Sequence, residues 1–250
     1  MAQQRQRLDH FLVEQGMCDD PQKAWALILA GNVQVNGETI RSAGHPISPA
    51  AIVTIKDHKT FASRGGLKLK GALDAFGVTP DGLVCMDIGA SHGGFTDCLL
   101  NHGARMVYAV DVGYGQLDWK LRQDQRVRVM ERVNARHLTR EMIADPIDLA
   151  VVDVSFISAT AIISILPDLF RTGNGEALVL VKPQFEALRE EVGPGGVVSD
   201  KAVRERAVDR VITFAAEKKF IWQGTVPSSI PGAKGNREFF IRLRFGSENS

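Results

Sequence analysis

From Leu83 onward the chain alternates short apolar runs of strand length with stretches in which apolar residues recur every three or four positions. The runs are "LVCMDIG", "RMVYAVDVG", "RVRVMERV", "DLAVVDVSFIS" and "EALVLVKP"; the helical stretches include "GGFTDCLLNHG", "ATAIISILPDLF" and "AVRERAVDRVITFAAEK". Strands that are apolar on both faces lie between two layers, so this alternation predicts an α/β fold with a mostly parallel, doubly wound sheet. The last two strand-like segments, "FIWQGTVPSSI" and "REFFIRLRF", follow one another with no helix between them. They predict an antiparallel C-terminal hairpin that completes a seven-stranded sheet, an ending that standard dinucleotide-binding folds lack.

The N-terminal part follows another pattern. "LDHFLVEQG" and "DPQKAWALILAG" carry two short helical periods, the second capped by Asp20 with Pro21 in its first turn. "NVQVNGETI" then alternates apolar and polar residues around an Asn36-Gly37 turn, and "AIVTIK" adds a further strand. We therefore expect a small α+β domain over 1–58, a basic linker over 59–65 and the sheet domain over 66–250. At 250 residues and 44% hydrophobic, the chain has mass for one large and one small domain. A formal net charge of +1 decides nothing about nucleic acid, because charge footprints are local. The cysteines Cys18, Cys85 and Cys98 have neither Cys-x-x-Cys spacing nor paired histidines nearby, so no disulfide framework and no metal site is expected. With no signal-peptide core and no run long enough to span a bilayer, the sequence reads as cytoplasmic and not membrane-bound.

The turn after the first strand of the sheet reads "DIGASHGGFTDCLL", residues 87–100. In open α/β sheets ligands sit beyond the carboxyl ends of the strands, and this turn is the usual place for close backbone approach. Gly89, Gly93 and Gly94 suit it, since glycine accepts positive φ and has no Cβ to keep a ligand away. Ser91 lies inside the turn, and Phe95 and Thr96 open a helix whose free N–H groups can face a polar ligand. Asp111 closes the next strand, where an acid commonly accepts hydrogen bonds from the two hydroxyls of an adenosine ribose. Nicotinamide cofactors and S-adenosylmethionine share that ribose. Asp87 separates them: a carboxylate ahead of the turn repels a pyrophosphate and suits the ammonium of a methionine moiety. The turn therefore favours S-adenosylmethionine.

The fourth strand limits the reaction. Amino-group methyltransferases typically follow it with Asn or Asp, two prolines and an aromatic, whereas this chain reads "DVSF" from Asp153. Methylation of cytosine carbon-5 needs a nucleophilic cysteine, and none lies in the second half of the sheet; Cys85 and Cys98 read as small core residues. Asp153 ends one strand and Lys182 the next, so both project from the carboxyl edge that carries the glycine turn. A lysine closing an apolar strand is costly to bury without a partner. Glu238 begins the last strand, and Lys68 lies in the helix leading into the domain. Judged singly, each can also be read as a solvated or salt-bridged group, Lys68 more readily than Lys182.

Together, these segments resemble the TlyA (hemolysin A) family, whose catalytic domain is similar to that of the FtsJ-type ribose methyltransferases. The resemblance covers nearly all of residues 5–245 and is carried by "RLDHFLVEQG", "GNVQVNG", "SRGGLKLKGALDAF", "DIGASHGGFTDCLL", "AVDVGYGQL", "VDVSFIS", "LVKPQFE" and "GPGGVVSD". It implies a Rossmann-like class I methyltransferase sheet and a Lys-Asp-Lys-Glu tetrad at Lys68, Asp153, Lys182 and Glu238. A ribose 2′-hydroxyl is far too weak an acid to ionise near neutrality, so attack on a sulfonium methyl needs a positioned base. The resemblance implies Lys182 in that role, Asp153 and Glu238 orienting it, and Lys68 placing the ribose or phosphate. It also implies adenosine contacts from Asp111 and, in "ERVNARHL", from Asn134, which reads equally well as an ordinary turn residue. The implied activity is S-adenosylmethionine-dependent 2′-O-methylation of cytidine in ribosomal RNA of the large subunit, and of the small subunit in longer family members.

The small domain resembles the S-four-like RNA-binding fold. That likeness implies ribosomal RNA or ribosomal subunits as partner, met by Arg5, Arg7 and Lys23, with Arg64 extending the track. A second basic group, Lys234, Arg237, Arg242 and Arg244, is expected near the acceptor side, with Arg242 and Arg244 equally readable as solvated strand residues. Two positions depart from the family pattern: Asp20-Pro21 stands where Ser-Arg is usual, and His92 stands where Thr is usual. Two rival functions are a membrane-active hemolysin and an RNA-binding module without catalysis. The missing apolar span argues against the first and the intact tetrad against the second.

Overall fold

The computed structural model describes residues 5–18, 20–55, 61–171 and 174–246. They form two compact units, Met1–Thr60 and Phe61–Ser250. The connector residues Lys56, Asp57 and Lys59 lie outside the described residues.

In the first unit, β1 (Gln6–Arg7) leads into α1 (Leu8–Glu14) and α2 (Pro21–Leu29), followed by β2 (Val33–Val35), β3 (Glu38–Ile40), β4 (Pro46–Ile47) and β5 (Val53–Ile55). Helix α2 starts where its cap dictates: the Asp20 carboxylate accepts the Lys23 N–H at 2.8 Å and Pro21 occupies the first turn. Asn36 and Gly37 both take positive φ, which the tight hairpin between β2 and β3 demands. Strand β5 pairs with the other side of β2, giving the order β3-β2-β5. A two-residue ladder between β1 and β4 adds a pairing that no sequence pattern announces. Leu8, Leu12, Ile28, Val33, Ile47 and Val53 make this unit's own core.

The second unit opens with α3 (Gly65–Phe76), then β6 (Val84–Ile88), α4 (Gly94–Asn101), β7 (Met106–Asp111), α5 (Trp119–Gln123) and β8 (Val127–Glu131). It continues with β9 (Leu149–Val152), α6 (Thr160–Ile163), α7 (Leu166–Leu169), β10 (Gly175–Val181), α8 (Pro183–Glu186), α9 (Lys201–Glu217), β11 (Phe220–Pro227) and β12 (Phe239–Phe245). Its seven-stranded sheet has the order β11-β12-β10-β9-β6-β7-β8. The ladders from β10 to β8 are parallel, and β12 runs antiparallel to both β10 and β11, as the sequence pattern predicts. The helical period over "ATAIISILPDLF" is divided into α6 and α7, because Pro167 cannot donate to the preceding turn.

Strand parity divides the core into two layers. Val84, Met86 and Ile88 pack with Ile162, Leu166, Val208 and Val211 on one face, while Cys85 packs with Leu69, Leu73, Phe95 and Leu99 on the other. Phe61 is buried on the second face against Gly66, where a Cβ would run into its ring. Residues 61–64, within the span expected as linker, thus pack as part of this unit.

Candidate active site

The carboxyl ends of β6, β7 and β9 border a cavity of about 450 Å³. Its lining takes Gly89 and Ser91 from the turn after β6, Asp111 from the end of β7, Asn134 from the loop after β8, and Asp153, Ser155 and Phe156 from the segment after β9. Gly89 has φ 91°, and a Cβ there would strike the Asp153 carbonyl, so the chain can pass this point only as glycine. The Asp111 carboxylate is fixed by two backbone donors, Ser91 N–H at 2.8 Å and Gly113 N–H at 2.7 Å. Each oxygen keeps a lone pair for a further donor such as a ribose hydroxyl. Asn134 spends its carbonyl on the Arg136 N–H at 3.2 Å, leaving its amide for the cavity. Apolar Val110, Val133, Ala135 and Ile162 complete walls suited to a flat ring.

Five residues expected at the cofactor lie beneath this cavity rather than in its lining. Asp87 shares the parity of Cys85 and so points under α4. It is fully buried, and its Oδ2 accepts Thr96 N–H at 2.8 Å and Thr96 Oγ1 at 2.7 Å. Burial lifts its pKa to about 7 against the lowering effect of those two bonds, with Asp153 adding a smaller upward push. Its Oδ1 has no hydrogen-bond partner among the described residues. Thr96 thereby braces the turn. Gly93 would drive a Cβ into Leu117 and Leu121, Gly94 would drive one into Ser63 and Gly66, and Phe95 packs against Phe240 with tilted rings, 5.9 Å between centres. These three positions serve close packing of α4.

The four charged residues form two contacts at the sheet's edge. Lys182, 9% exposed, places Nζ 2.6 Å from Asp153 Oδ1 and donates to Ser155 Oγ at 2.8 Å. The contact to Asp153 is an ion pair without hydrogen-bond alignment. Lys68, from the second turn of α3, donates to Glu238 Oε2 at 2.6 Å, and Glu238 is 3% exposed. The β10–β12 ladder ends at Val181 opposite Phe239, so Lys182 and Glu238 follow directly on neighbouring chains. Each ammonium has its own carboxylate, whereas the expected arrangement had both carboxylates orienting Lys182.

Several features of this edge leave no trace in the local sequence pattern. Glu186 is buried and ties the loop after β10 to the loop after β9, accepting Ser158 Oγ at 2.6 Å and Ala159 N–H at 2.7 Å; burial raises its pKa. Phe156 has φ 67°, a strained backbone for an aromatic, and is 88% exposed beside Phe185 at 5.4 Å between ring centres. Ser155 could have been noticed from "DVSF", since the residue two after Asp153 must lie near the same edge.

Elsewhere the basic residues separate. Arg242 donates to Glu176 at 2.5 Å and to the Phe76 carbonyl at 2.9 Å, and Arg242 and Arg244 line a cavity with Asp148 and Arg171 at the far end of the sheet. Both therefore lie away from the acceptor side where they were expected, because β12 carries them away from Glu238. Arg5 and Arg64 are exposed; Arg7 is bound to Asp9 through two hydrogen bonds of 3.0 and 2.6 Å; Lys23 lies 3.8 Å from Asp20. Among the described residues no cluster of histidine, cysteine and acidic side chains has the makings of a metal site, and no helix is long and apolar enough to cross a membrane.

Comparison with known proteins places this geometry in a lineage. The FtsJ-like methyltransferase model matches residues 61–245 and the S4 domain model residues 6–53. The 16S/23S rRNA (cytidine-2′-O)-methyltransferase TlyA of Mycobacterium tuberculosis is 45% identical over 244 residues, covering 96% of this chain and 90% of the relative. Hemolysin A of Brachyspira hyodysenteriae is 42% identical over 240 residues, covering 95% and 99%. A solved structure of a candidate hemolysin from Streptococcus thermophilus superposes with TM-score 0.74 at 39% identity, covering 98% of this chain and 90% of that one. The chain belongs to the FtsJ-like methyltransferase family, in the branch of TlyA and hemolysin A that carries an S4 domain ahead of the catalytic sheet.

Proposed function

We propose that this protein transfers a methyl group from S-adenosylmethionine to the 2′-hydroxyl of a cytidine in ribosomal RNA, with Lys182 as the base. The observation that carries the reading is the pair of lysine–carboxylate contacts at the carboxyl edge, Lys182 with Asp153 and Lys68 with Glu238, beside a cavity that fits the cofactor. The fit rests on three features. The Asp111 carboxylate is pinned where a ribose diol can donate to it, and Gly89 lets the ligand approach the backbone. The Asn134 amide stays available to the adenosine end of the cavity. The acceptor class comes from the M. tuberculosis relative, named for cytidine 2′-O-methylation of 16S and 23S rRNA, and from the S4 domain.

S-adenosylmethionine, when bound, supplies the methyl as an electrophile on its sulfonium. Asp111 and Asn134 hold the adenosine end. Asp153 and Ser155 fix Lys182 Nζ so that it meets the acceptor hydroxyl at hydrogen-bond distance, and Glu238 holds Lys68 beside the ribose and its phosphate. Lys182 would receive the hydroxyl proton as the oxygen gains the methyl and the methyl–sulfur bond breaks, a step that needs Nζ as the free amine. Phe156, kept exposed against Phe185, gives the acceptor base an aromatic face.

The test is transfer of labelled methyl to isolated ribosomal subunits. Lys182→Ala should lower kcat by about 10²-fold or more, the scale of a lost general base, with cofactor affinity retained. Full activity in Lys182→Ala removes the base, and no transfer by the wild type to either subunit removes the function.

A further inference from the structure

Beyond Glu238 the carboxyl edge continues into a second cavity, of about 390 Å³, for which the proposed reaction has no use. One wall is the start of α9, with Lys201, Arg204 and Glu205. The other is the chain from Pro227 to Pro231 together with Arg237, Glu238 and Phe239. Glu238 belongs to both places, since it lines this cavity while its Oε2 holds Lys68. The cofactor cavity lies at β6, β7 and β9; this one lies at β11 and β12, on the opposite side of the lysine–carboxylate pairs.

The walls are braced. Asn236 is 3% exposed and uses its whole amide: Nδ2 donates to the Gly196 carbonyl at 2.8 Å and the Ala233 carbonyl at 3.2 Å, and Oδ1 accepts the Val198 N–H at 3.1 Å. Arg204 Nη1 donates to the Val198 and Ser199 carbonyls at 3.0 and 2.6 Å. These bonds tie the "GPGGVVSD" segment to the loop before β12. Ser229 Oγ donates to the Leu67 carbonyl at 2.9 Å, fastening that loop to the helix that carries Lys68. The space so held is walled by Pro227, Ile230, Pro231 and Phe239, with Lys201, Arg204 and Arg237 at its rim beside the carboxylates of Glu205 and Glu238. Arg237 is exposed and has no acidic partner among the described residues; Lys201 has only Glu205 at 3.4 Å, a surface pair of small worth. Apolar walls beside an arginine without an acidic partner and a weakly paired lysine match a base and its phosphate.

We propose that this cavity binds the nucleotide next to the methylated one, its base against Pro227, Pro231 and Phe239 and its phosphate at Arg237 and Lys201. The proposal rests on the RNA-acceptor reading, and it makes the strand run along the sheet edge with the acceptor ribose between the two cavities.

The experiment uses the full chain with an rRNA fragment that it methylates, varied in salt, and with 4-thiouridine placed on either side of the acceptor. Arg237→Glu should raise KM for RNA about tenfold, more than it changes kcat, and reduce the slope of log KM against log salt by about one, the share of a single phosphate contact. Cofactor affinity should not move, and Arg237→Ala should show a smaller effect of the same kind. One of the two 4-thiouridines should crosslink within residues 227–239 or 201–205. Wild-type KM and salt slope in Arg237→Glu, or crosslinks confined to other segments, overturn the subsite while leaving the reaction intact. Failure of the wild type to methylate any ribosomal RNA overturns the functional reading and the subsite with it.

Discussion

Asp87 shows how a single residue can be located correctly and assigned the wrong neighbours. Its place ahead of the glycine turn was visible, but strand parity sends it under α4, where Thr96 takes one oxygen and nothing takes the other. A carboxyl whose pKa is raised by burial keeps its proton in the folded chain up to about 7, while the unfolded chain loses it near 4. Between those values the unfolded state binds fewer protons, so stability falls as pH rises and then levels off above about 7. Asp87→Asn keeps an acceptor for Thr96 and removes the titration. Urea unfolding at pH 5 and pH 8 should show a loss on the order of a few kcal/mol in the wild type that is smaller in Asp87→Asn. Equal losses in both would mean that Asp87 ionises freely. Cys85 and Cys98, with thiol pKa values pushed up to about 12 by burial, should resist alkylation in the folded protein, as the core assignment requires.

At the scale of elements, the central strands β6, β9 and β10 were legible because they are largely apolar on both faces, and the antiparallel end was legible because no helix separates its two segments. The loops after β9 and β10 were not. Their geometry depends on Glu186, Ser158, Phe156 and Phe185 meeting across the edge, contacts between segments more than twenty residues apart that no local period records. The two-residue β1–β4 ladder escaped for the same reason, being too short to show alternation. Where the turn after β6 meets the loop after β9, the fit is tight enough to test. Gly89→Ala combines φ 91° with a collision against the Asp153 carbonyl, so it should lower stability by about 1–3 kcal/mol. It should also displace Asp153 from Lys182, so calorimetric titration should show weaker cofactor binding and methyl transfer should drop. An unaltered melting temperature with unaltered binding would contradict the described turn.

The whole molecule consists of two units with separate cores, so the catalytic sheet does not depend on Leu8, Leu12, Ile28 or Val53 for its packing. A chain beginning at Phe61 should unfold cooperatively and bind S-adenosylmethionine. Its KM for ribosomal subunits should rise by about tenfold or more if Arg5, Arg7 and Lys23 contribute phosphate contacts, each weakening with salt. A truncated chain with the KM of the full protein would remove the RNA role of the first unit. The two-unit division was readable from the change of period near residue 57; the role of the cavity beside Glu238 was not, because its walls come from α9, β11 and β12. In the proposed reaction the atom that receives the methyl is the ribose 2′-oxygen of a cytidine. Ribosomal RNA methylated by the wild-type chain, digested to nucleosides and resolved by mass spectrometry, should yield 2′-O-methylcytidine as the labelled product, and Lys182→Ala should yield almost none. Label on a nucleobase, or equal 2′-O-methylcytidine from both proteins, would contradict it.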